Sequence, residues 1–155
     1  MSEARLRRRS VADIIDGEIV ATVEIASQPE RVFRALTSAE ICSWWVRSGV
    51  FDTREWTGDV KVGGVWRASG MSRGKPYQLQ GEFIEIDPPR RLVHTWRPVG
   101  EPIAPSTVTY LLEPTTRGTR LTVRHAGLTV APARDQINLG WQTSLDTLAD
   151  ILGRA

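Results

Sequence analysis

A single long amphipathic helix near the carboxyl end is the feature that most constrains how this chain can fold. Pro132 suits the first turn of a helix, and Gly153 follows the last apolar position as a stop signal. Between them, apolar side chains recur every three or four positions and form one stripe: Ile137, Trp141, Leu145, Leu148 and Leu152. No other stretch shows a long helical pattern, so we expect one sheet to cover this one helix.

The chain before that helix alternates apolar and polar residues as strands do, and we predict about seven strands. The range 18–25 gives the clearest strand. Asp16-Gly17 before it is typical of a hairpin turn, so the residues ahead of the turn form either a short edge strand or a loose segment. Later strands are predicted at 50–56, 65–69, 77–86, 91–97, 107–113 and 119–125.

Two short helices are predicted in series directly after the first strand. Ser27 to Glu30 has the pattern of a capping box with a proline in the first helical turn, and Thr37 to Glu40 repeats the capping pattern. The alternation indicates a sheet with one polar and one apolar face. Helices gathered on one face of such a sheet make an α+β fold with an antiparallel sheet.

The charge is concentrated at the amino end. A length of 155 residues suffices for one domain with a real core, and we expect that domain at 11–155, after a flexible basic tail at 1–10. The tail holds four arginines: Arg5, Arg7, Arg8 and Arg9. Without them the formal net charge falls from +2 to −2, so the body of the protein is not basic and we expect no nucleic-acid partner.

The sequence shows no sign of a membrane span or of secretion. No apolar run reaches the length that crosses a bilayer, and the residues after Met1 lack the apolar segment of a signal peptide. Cys42 is the one cysteine, so it has no partner for an internal disulfide, and we interpret it as a packed thiol. These features suit a reducing compartment, and we expect a cytoplasmic protein.

Six stretches resemble the "activator of Hsp90 ATPase"-like branch of the SRPBCC superfamily, at positions 32–37, 44–45, 63–66, 87–96, 118–122 and 140–141. The resemblance covers residues 18–152. It implies the helix-grip fold of START domains and the birch-pollen allergen family. In that fold a curved antiparallel sheet wraps around the final helix, two short helices follow the first strand, and a cavity lies between sheet and helix.

Alternation and the implied cavity together nominate the side chains that would meet a ligand. Mostly apolar walls with a few polar groups are typical of small-molecule sites, although the same rings can simply fill a core. The candidate ligand-binding residues are Trp45, Trp66, Phe83, His94, Trp96, Tyr110, Gly140, Trp141, Ser144 and Leu145. A glycine inside a helix costs about 1 kcal/mol relative to alanine, so we interpret Gly140 as making room for something.

No catalytic or cofactor motif occurs, since a nucleophile elbow, a phosphate loop and dinucleotide-binding glycines are all missing from the sequence. His94, Tyr110 and His125 are candidate acid–base groups, and the alternative for each histidine is a buried structural role. Two histidines on different strands and one distant cysteine have no recognised ligand spacing. We therefore predict no cofactor and no metal site.

Three functions remain open from the sequence. The leading hypothesis is a small-molecule binding protein that holds a hydrophobic or aromatic ligand between the sheet and the final helix. The second is an enzyme of the polyketide cyclase or dehydratase type that uses the same cavity. The third is a chaperone-linked protein-interaction module. The sequence does not identify the ligand, and a homodimer is left open.

Overall fold

Eight strands and three helices make up residues 10–154, the part of the chain that the structure, a computed structural model, describes. In chain order the elements are β1 (Val11–Ile15), β2 (Glu18–Ile25), α1 (Pro29–Leu36), α2 (Ile41–Trp44), β3 (Glu55–Gly58), β4 (Val65–Ser72), β5 (Lys75–Asp87), β6 (Arg91–Pro98), β7 (Ser106–Thr115), β8 (Gly118–Ala126) and α3 (Ala131–Leu152). The tail prediction concerns residues 1–9, which lie outside the described range, and Ser10, which is buried.

All eight strands form one antiparallel sheet in the order β1-β2-β8-β7-β6-β5-β4-β3. The predicted α+β helix-grip architecture is confirmed. The strand count is eight rather than about seven because the segment before the first turn is a true edge strand, with Val11 paired to Thr22. Asp16 and Gly17 both have positive φ, as the hairpin turn requires.

Helix α3 lies against β1 and β2 and buries the predicted stripe. Trp141, Leu145 and Leu148 are buried, and Ile137 and Leu152 pack partly buried against the same core. The amino end of the described chain is attached to this helix. The backbone N–H of Ser10 donates to the Asp146 carboxylate at 2.7 Å, and the Ser10 hydroxyl donates to the Gln142 carbonyl at 2.7 Å.

Neither predicted capping box forms. The Ser27 hydroxyl donates to the Leu152 carbonyl at 2.6 Å, so it closes the carboxyl end of α3 instead of the amino end of α1. The Thr37 hydroxyl donates to the Phe33 carbonyl at 2.9 Å, and α2 begins four residues later without a side-chain cap. The proline in the first turn of α1 is confirmed. The hydroxyl groups of both patterns therefore bond to carbonyls at the carboxyl ends of helices, Ser27 at α3 and Thr37 at α1, and neither caps the helix that follows it.

The segment predicted as a strand at 50–56 is mostly irregular, and β3 begins only at Glu55. Two isolated bridges precede it, one between Arg47 and Phe51 and one between Phe51 and Ser72. The backbone N–H of Arg73 donates to the Val50 carbonyl at 2.8 Å. These bonds draw the turn at 47–51 against the hairpin between β4 and β5, which places it beside α3.

Gly81 allows the sheet to hold a tryptophan closely. A Cβ at this position would lie 1.9 Å from the Thr95 carbonyl oxygen and 2.4 Å from Nε1 of Trp66. That indole N–H donates to the Thr95 carbonyl at 3.2 Å across the strand. The register of β5 against β6 shifts between Phe83 and Glu85, so the irregularity lies two to four residues beyond Gly81.

Candidate ligand-binding cleft

A cleft of about 640 Å³ opens between the amino-terminal half of α3 and the ends of β4, β5 and β6. Its apolar wall includes these side chains: Trp45, Phe51, Leu79, Trp96, Ile137 and Trp141. Small-molecule sites typically have volumes of roughly 300–1,000 Å³, apolar walls and a few polar groups. The cleft has the size and the lining of such a site.

The turn of α3 at Gly140 borders the cleft and carries no side chain. A Cβ built there would meet one atom within 4 Å, a ring carbon of Phe51 at 3.9 Å. Ser144 follows one turn later and is buried at the same wall. Thr143 and Thr147 donate to carbonyls four residues earlier at 3.0 Å, whereas the Ser144 hydroxyl makes no such bond within residues 10–154. That hydroxyl is therefore available to a bound molecule.

The structure divides the nominated residues into two layers. Those that border the cleft are Trp45, Trp96, His125, Gly140, Trp141 and Ser144. Those that lie beneath it in the core are Trp66, Phe83, His94, Tyr110 and Leu145. Ring contacts join the layers: Trp45 lies 5.7 Å from Trp66, and Trp141 lies 6.0 Å from Tyr110, between ring centroids.

His125 is held by hydrogen bonds at both ring nitrogens. The Trp141 indole N–H donates to Nδ1 at 3.0 Å, and since an indole can only donate, Nδ1 carries no proton. The proton sits on Nε2, which donates to the Ser106 hydroxyl at 2.7 Å, and that hydroxyl donates to the Trp96 carbonyl at 3.0 Å. Burial, with a smaller effect of nearby His94, lowers the pKa of His125 to about 3. The imidazole is neutral and has no free nitrogen.

The other two acid–base candidates lie in the aromatic core. His94 donates from Nδ1 to the Thr95 carbonyl at 2.8 Å, and its ring lies 5.0 Å from Trp66 and 5.5 Å from Tyr110. Burial lowers the pKa of His94 to about 4, against a smaller opposite effect of the Thr95 bond. Burial also raises the pKa of the Tyr110 phenol far above its ordinary value. Neither side chain borders the cleft.

The sequence matches the model of a family described as "Activator of Hsp90 ATPase homolog 1-like protein" over residues 26–153. The chain belongs to this family. No curated protein matches the sequence. The match of the family model therefore identifies the family without assigning a ligand or a reaction.

Solved structures share the fold of this family member. A protein from Chromobacterium violaceum is 25% identical, with a TM-score of 0.79 over 89% of this chain and 98% of its own. A protein from Rhodobacter sphaeroides is 22% identical, with a TM-score of 0.77 over 93% and 97%. One from Mycobacterium smegmatis is 17% identical, with a TM-score of 0.78 over 92% and 94%. The last two likenesses show the fold alone.

Several cleft residues of this family member were missed in the sequence. Ile137 lies three residues before Gly140, so helical spacing alone could have placed it on the same face. Tyr77 and Leu79 share a strand face with Phe83, which alternation could have shown. Phe51 lies in an irregular turn without any period, so no sequence pattern indicated it.

Two hydroxyl groups anchor the irregular segment after α2. The Thr53 hydroxyl lies 2.8 Å from the Trp45 carbonyl and 2.7 Å from the Tyr77 hydroxyl, which donates to the Asp52 carbonyl at 2.7 Å. Burial raises the pKa of the Tyr77 phenol. These contacts tie residues 45–53 to β5 and so fix one wall of the cleft.

Neither a metal cluster nor a membrane-crossing helix is found within residues 10–154. No group of three or more His, Cys, Asp or Glu side chains there is arranged to hold a metal ion. No helix in the same range is long and apolar enough to cross a membrane. Cys42 is half-buried, and burial raises the pKa of its thiol, which disfavours the reactive thiolate.

Proposed function

We propose that this family member binds a small apolar or aromatic molecule in the cleft between α3 and the sheet. The observation that carries the proposal is the bare helical turn at Gly140, which faces about 640 Å³ of space walled by aromatic rings. Two polar groups add to it: the Ser144 hydroxyl, which does not bond back to its own helix, and the buried N–H of Trp45, which has no hydrogen-bond partner among residues 10–154. A buried donor without a partner costs about 1–3 kcal/mol.

Binding is better supported than catalysis by the same geometry. A general acid or base works best with a pKa near neutrality and within reach of the substrate. The pKa values of His94 and His125 are about 4 and about 3, and both nitrogens of His125 are occupied. Tyr110 lies in the core with a raised pKa. A cytoplasmic location stays a prediction from the sequence.

The test is to fill the bare turn. Gly140→Leu places a side chain into the cleft while improving helix propensity, so the helix does not suffer for backbone reasons. Ala133→Leu is the matched control, because it adds a leucine to the same helix at an exposed position that does not border the cleft. Binding of the neutral dye phenylnaphthylamine is measured by fluorescence, and stability is measured by thermal unfolding.

We expect wild type and Ala133→Leu to bind the dye with similar affinity, and Gly140→Leu to bind at least about tenfold more weakly with an unchanged or higher melting temperature. No dye binding by the wild type would refute the proposal. Equal binding by Gly140→Leu would place the dye elsewhere and would also count against it. A large loss of stability in Gly140→Leu would indicate a close-packed core at this turn.

A further inference from the structure

We propose that the ligand of this cleft is an amphipathic acid, with its carboxylate or similar oxyanion held at the mouth by Arg47 and Arg73 and its apolar body directed toward Trp141. This inference rests on the proposed function and adds a charge and an orientation to it. It comes from two arginines at the rim of the cleft that have no carboxylate partner among residues 10–154.

The rim carries two guanidinium groups on one side. Arg47 and Arg73 both border the cleft, and neither lies within 4 Å of a carboxylate among residues 10–154. Arg47 is only partly exposed, and its guanidinium makes no hydrogen bond within the same range. A partly buried cation without a partner is unfavourable unless something compensates it. A bound anion would do so.

Backbone hydrogen bonds bring the two arginines together from 26 positions apart in sequence. Val50 donates to the Arg47 carbonyl at 2.9 Å, and Arg73 donates from its backbone N–H to the Val50 carbonyl at 2.8 Å. Phe51 bridges both Arg47 and Ser72. Val50 therefore has one arginine as a hydrogen-bonded neighbour on each side, and the two side chains enter the rim of the cleft from one small patch of backbone.

Arg73 also spans the mouth of the cleft. Its guanidinium donates to the side-chain oxygen of Gln136 on α3, which is a neutral acceptor and leaves the positive charge uncompensated. A guanidinium has five N–H donors, so this bond leaves others for a ligand. The bond joins the β4–β5 hairpin to the helix beside the bare turn at Gly140, so the charge lies next to the space that a ligand would fill.

The chemistry of the rim favours an oxyanion on an apolar body. A guanidinium matches the geometry of a carboxylate or phosphate through two parallel hydrogen bonds. The interior beyond the arginines is lined by Phe51, Leu79 and Trp141, which suit an aromatic or aliphatic body. Glu101, on the loop after β6, is the one carboxylate among the cleft residues, and it disfavours an anion on its own side. An acid is therefore bound with its oxyanion at the arginines and its apolar body in the interior of the cleft.

The experiment compares two probes of nearly the same shape, one with a negative charge and one without. Naphthoate and naphthamide share an aromatic body, and each is used to displace the neutral dye phenylnaphthylamine from the wild type, Arg47→Gln, Arg73→Gln and Arg67→Gln. Arg67 is the matched control, because it is exposed on β4, has no carboxylate partner among the described residues and does not border the cleft. Thermal unfolding checks that all four proteins are folded.

We expect naphthoate to bind about tenfold more tightly than naphthamide to the wild type and to Arg67→Gln, because hydrogen bonds to charged groups are the stronger ones. Arg47→Gln and Arg73→Gln should each reduce that preference for naphthoate over naphthamide several-fold. Added salt should weaken naphthoate alone.

Equal affinity for the two probes would overturn the inference, as would failure of naphthoate to displace the dye or an equal effect of Arg67→Gln. Each of these outcomes leaves the proposed function intact, provided that the neutral dye itself binds the cleft. Absence of dye binding in the wild type would instead refute the proposed function.

Discussion

Two buried neutral histidines should make this protein lose stability in mild acid. His94 and His125 are 4% and 0% exposed, and burial lowers their pKa values to about 4 and about 3 in the folded protein. In the unfolded chain each imidazole titrates near about pH 6.5. Below that pH the unfolded state binds protons that the folded state does not bind, so the free energy of unfolding falls as the pH falls.

The magnitude follows from the width of that window. Each histidine changes the free energy of unfolding by about 1.4 kcal/mol per pH unit between about pH 6.5 and its folded pKa. Lowering the pH from 7.5 to 5 should therefore cost about 2 kcal/mol for His94 and about 2 kcal/mol for His125. The pKa of Glu40 is lowered chiefly by a hydrogen bond from Arg31, so its contribution to stability is lost as the pH falls below the ordinary value of 4.5. It does not disturb this window.

Urea unfolding at half-unit pH steps measures the effect, and asparagine variants assign it. In His125→Asn the amide oxygen can still accept from Trp141, and in His94→Asn the amide N–H can still donate to the Thr95 carbonyl, but neither side chain titrates. Each variant should show about half of the wild-type slope between pH 6 and 5, and the double variant should be nearly flat. A wild-type stability that does not change from pH 7.5 to 5, or a slope that neither variant reduces, would refute the reasoning.

Two further predictions concern packing. Trp141→Ala should cost about 3–5 kcal/mol in urea melts, because it removes a buried ring that also donates to His125, and a loss below about 1 kcal/mol would show that the ring is not part of the core. Gly81→Ala should cost at least about 2 kcal/mol in the same assay, because its Cβ would meet the Thr95 carbonyl oxygen and the Trp66 indole. A stable Gly81→Ala protein would mean that the strands can separate locally at no cost.

The fold could be predicted because its signals are periodic and local. The alternation of apolar and polar residues correctly assigned Trp66, Phe83 and Tyr110 to the inner face of the sheet. Helical spacing correctly assigned Trp141 to the buried face of α3. Neither period says how far an inward side chain lies from a cavity. That depth depends on Trp45, at the end of a short helix, whose ring contacts Trp66 on one side and borders the cleft on the other.

Contacts between distant parts of the chain could not be predicted. Ser27 matched a capping box, but its partner is the Leu152 carbonyl, 125 positions away. Local propensity favours a cap at that serine, and the closing of α3 against the end of β2 overrides it. Arg47 and Arg73 carry no shared motif, and only the bonds through Val50 place them together. For this reason the sequence alone could not predict that Arg47 and Arg73 share the rim of the cleft.

The contrast between two glycines gives the strongest structural argument for the cleft. At Gly81 the neighbouring backbone excludes any side chain, so the fold itself requires glycine. At Gly140 the backbone is helical, the nearest foreign atom is a Phe51 ring carbon at 3.9 Å, and an alanine would fit while improving helix propensity by about 1 kcal/mol. Folding alone therefore gives no reason for glycine at position 140. A ligand that occupies the space beside this turn would supply one, and that is what Gly140→Leu tests.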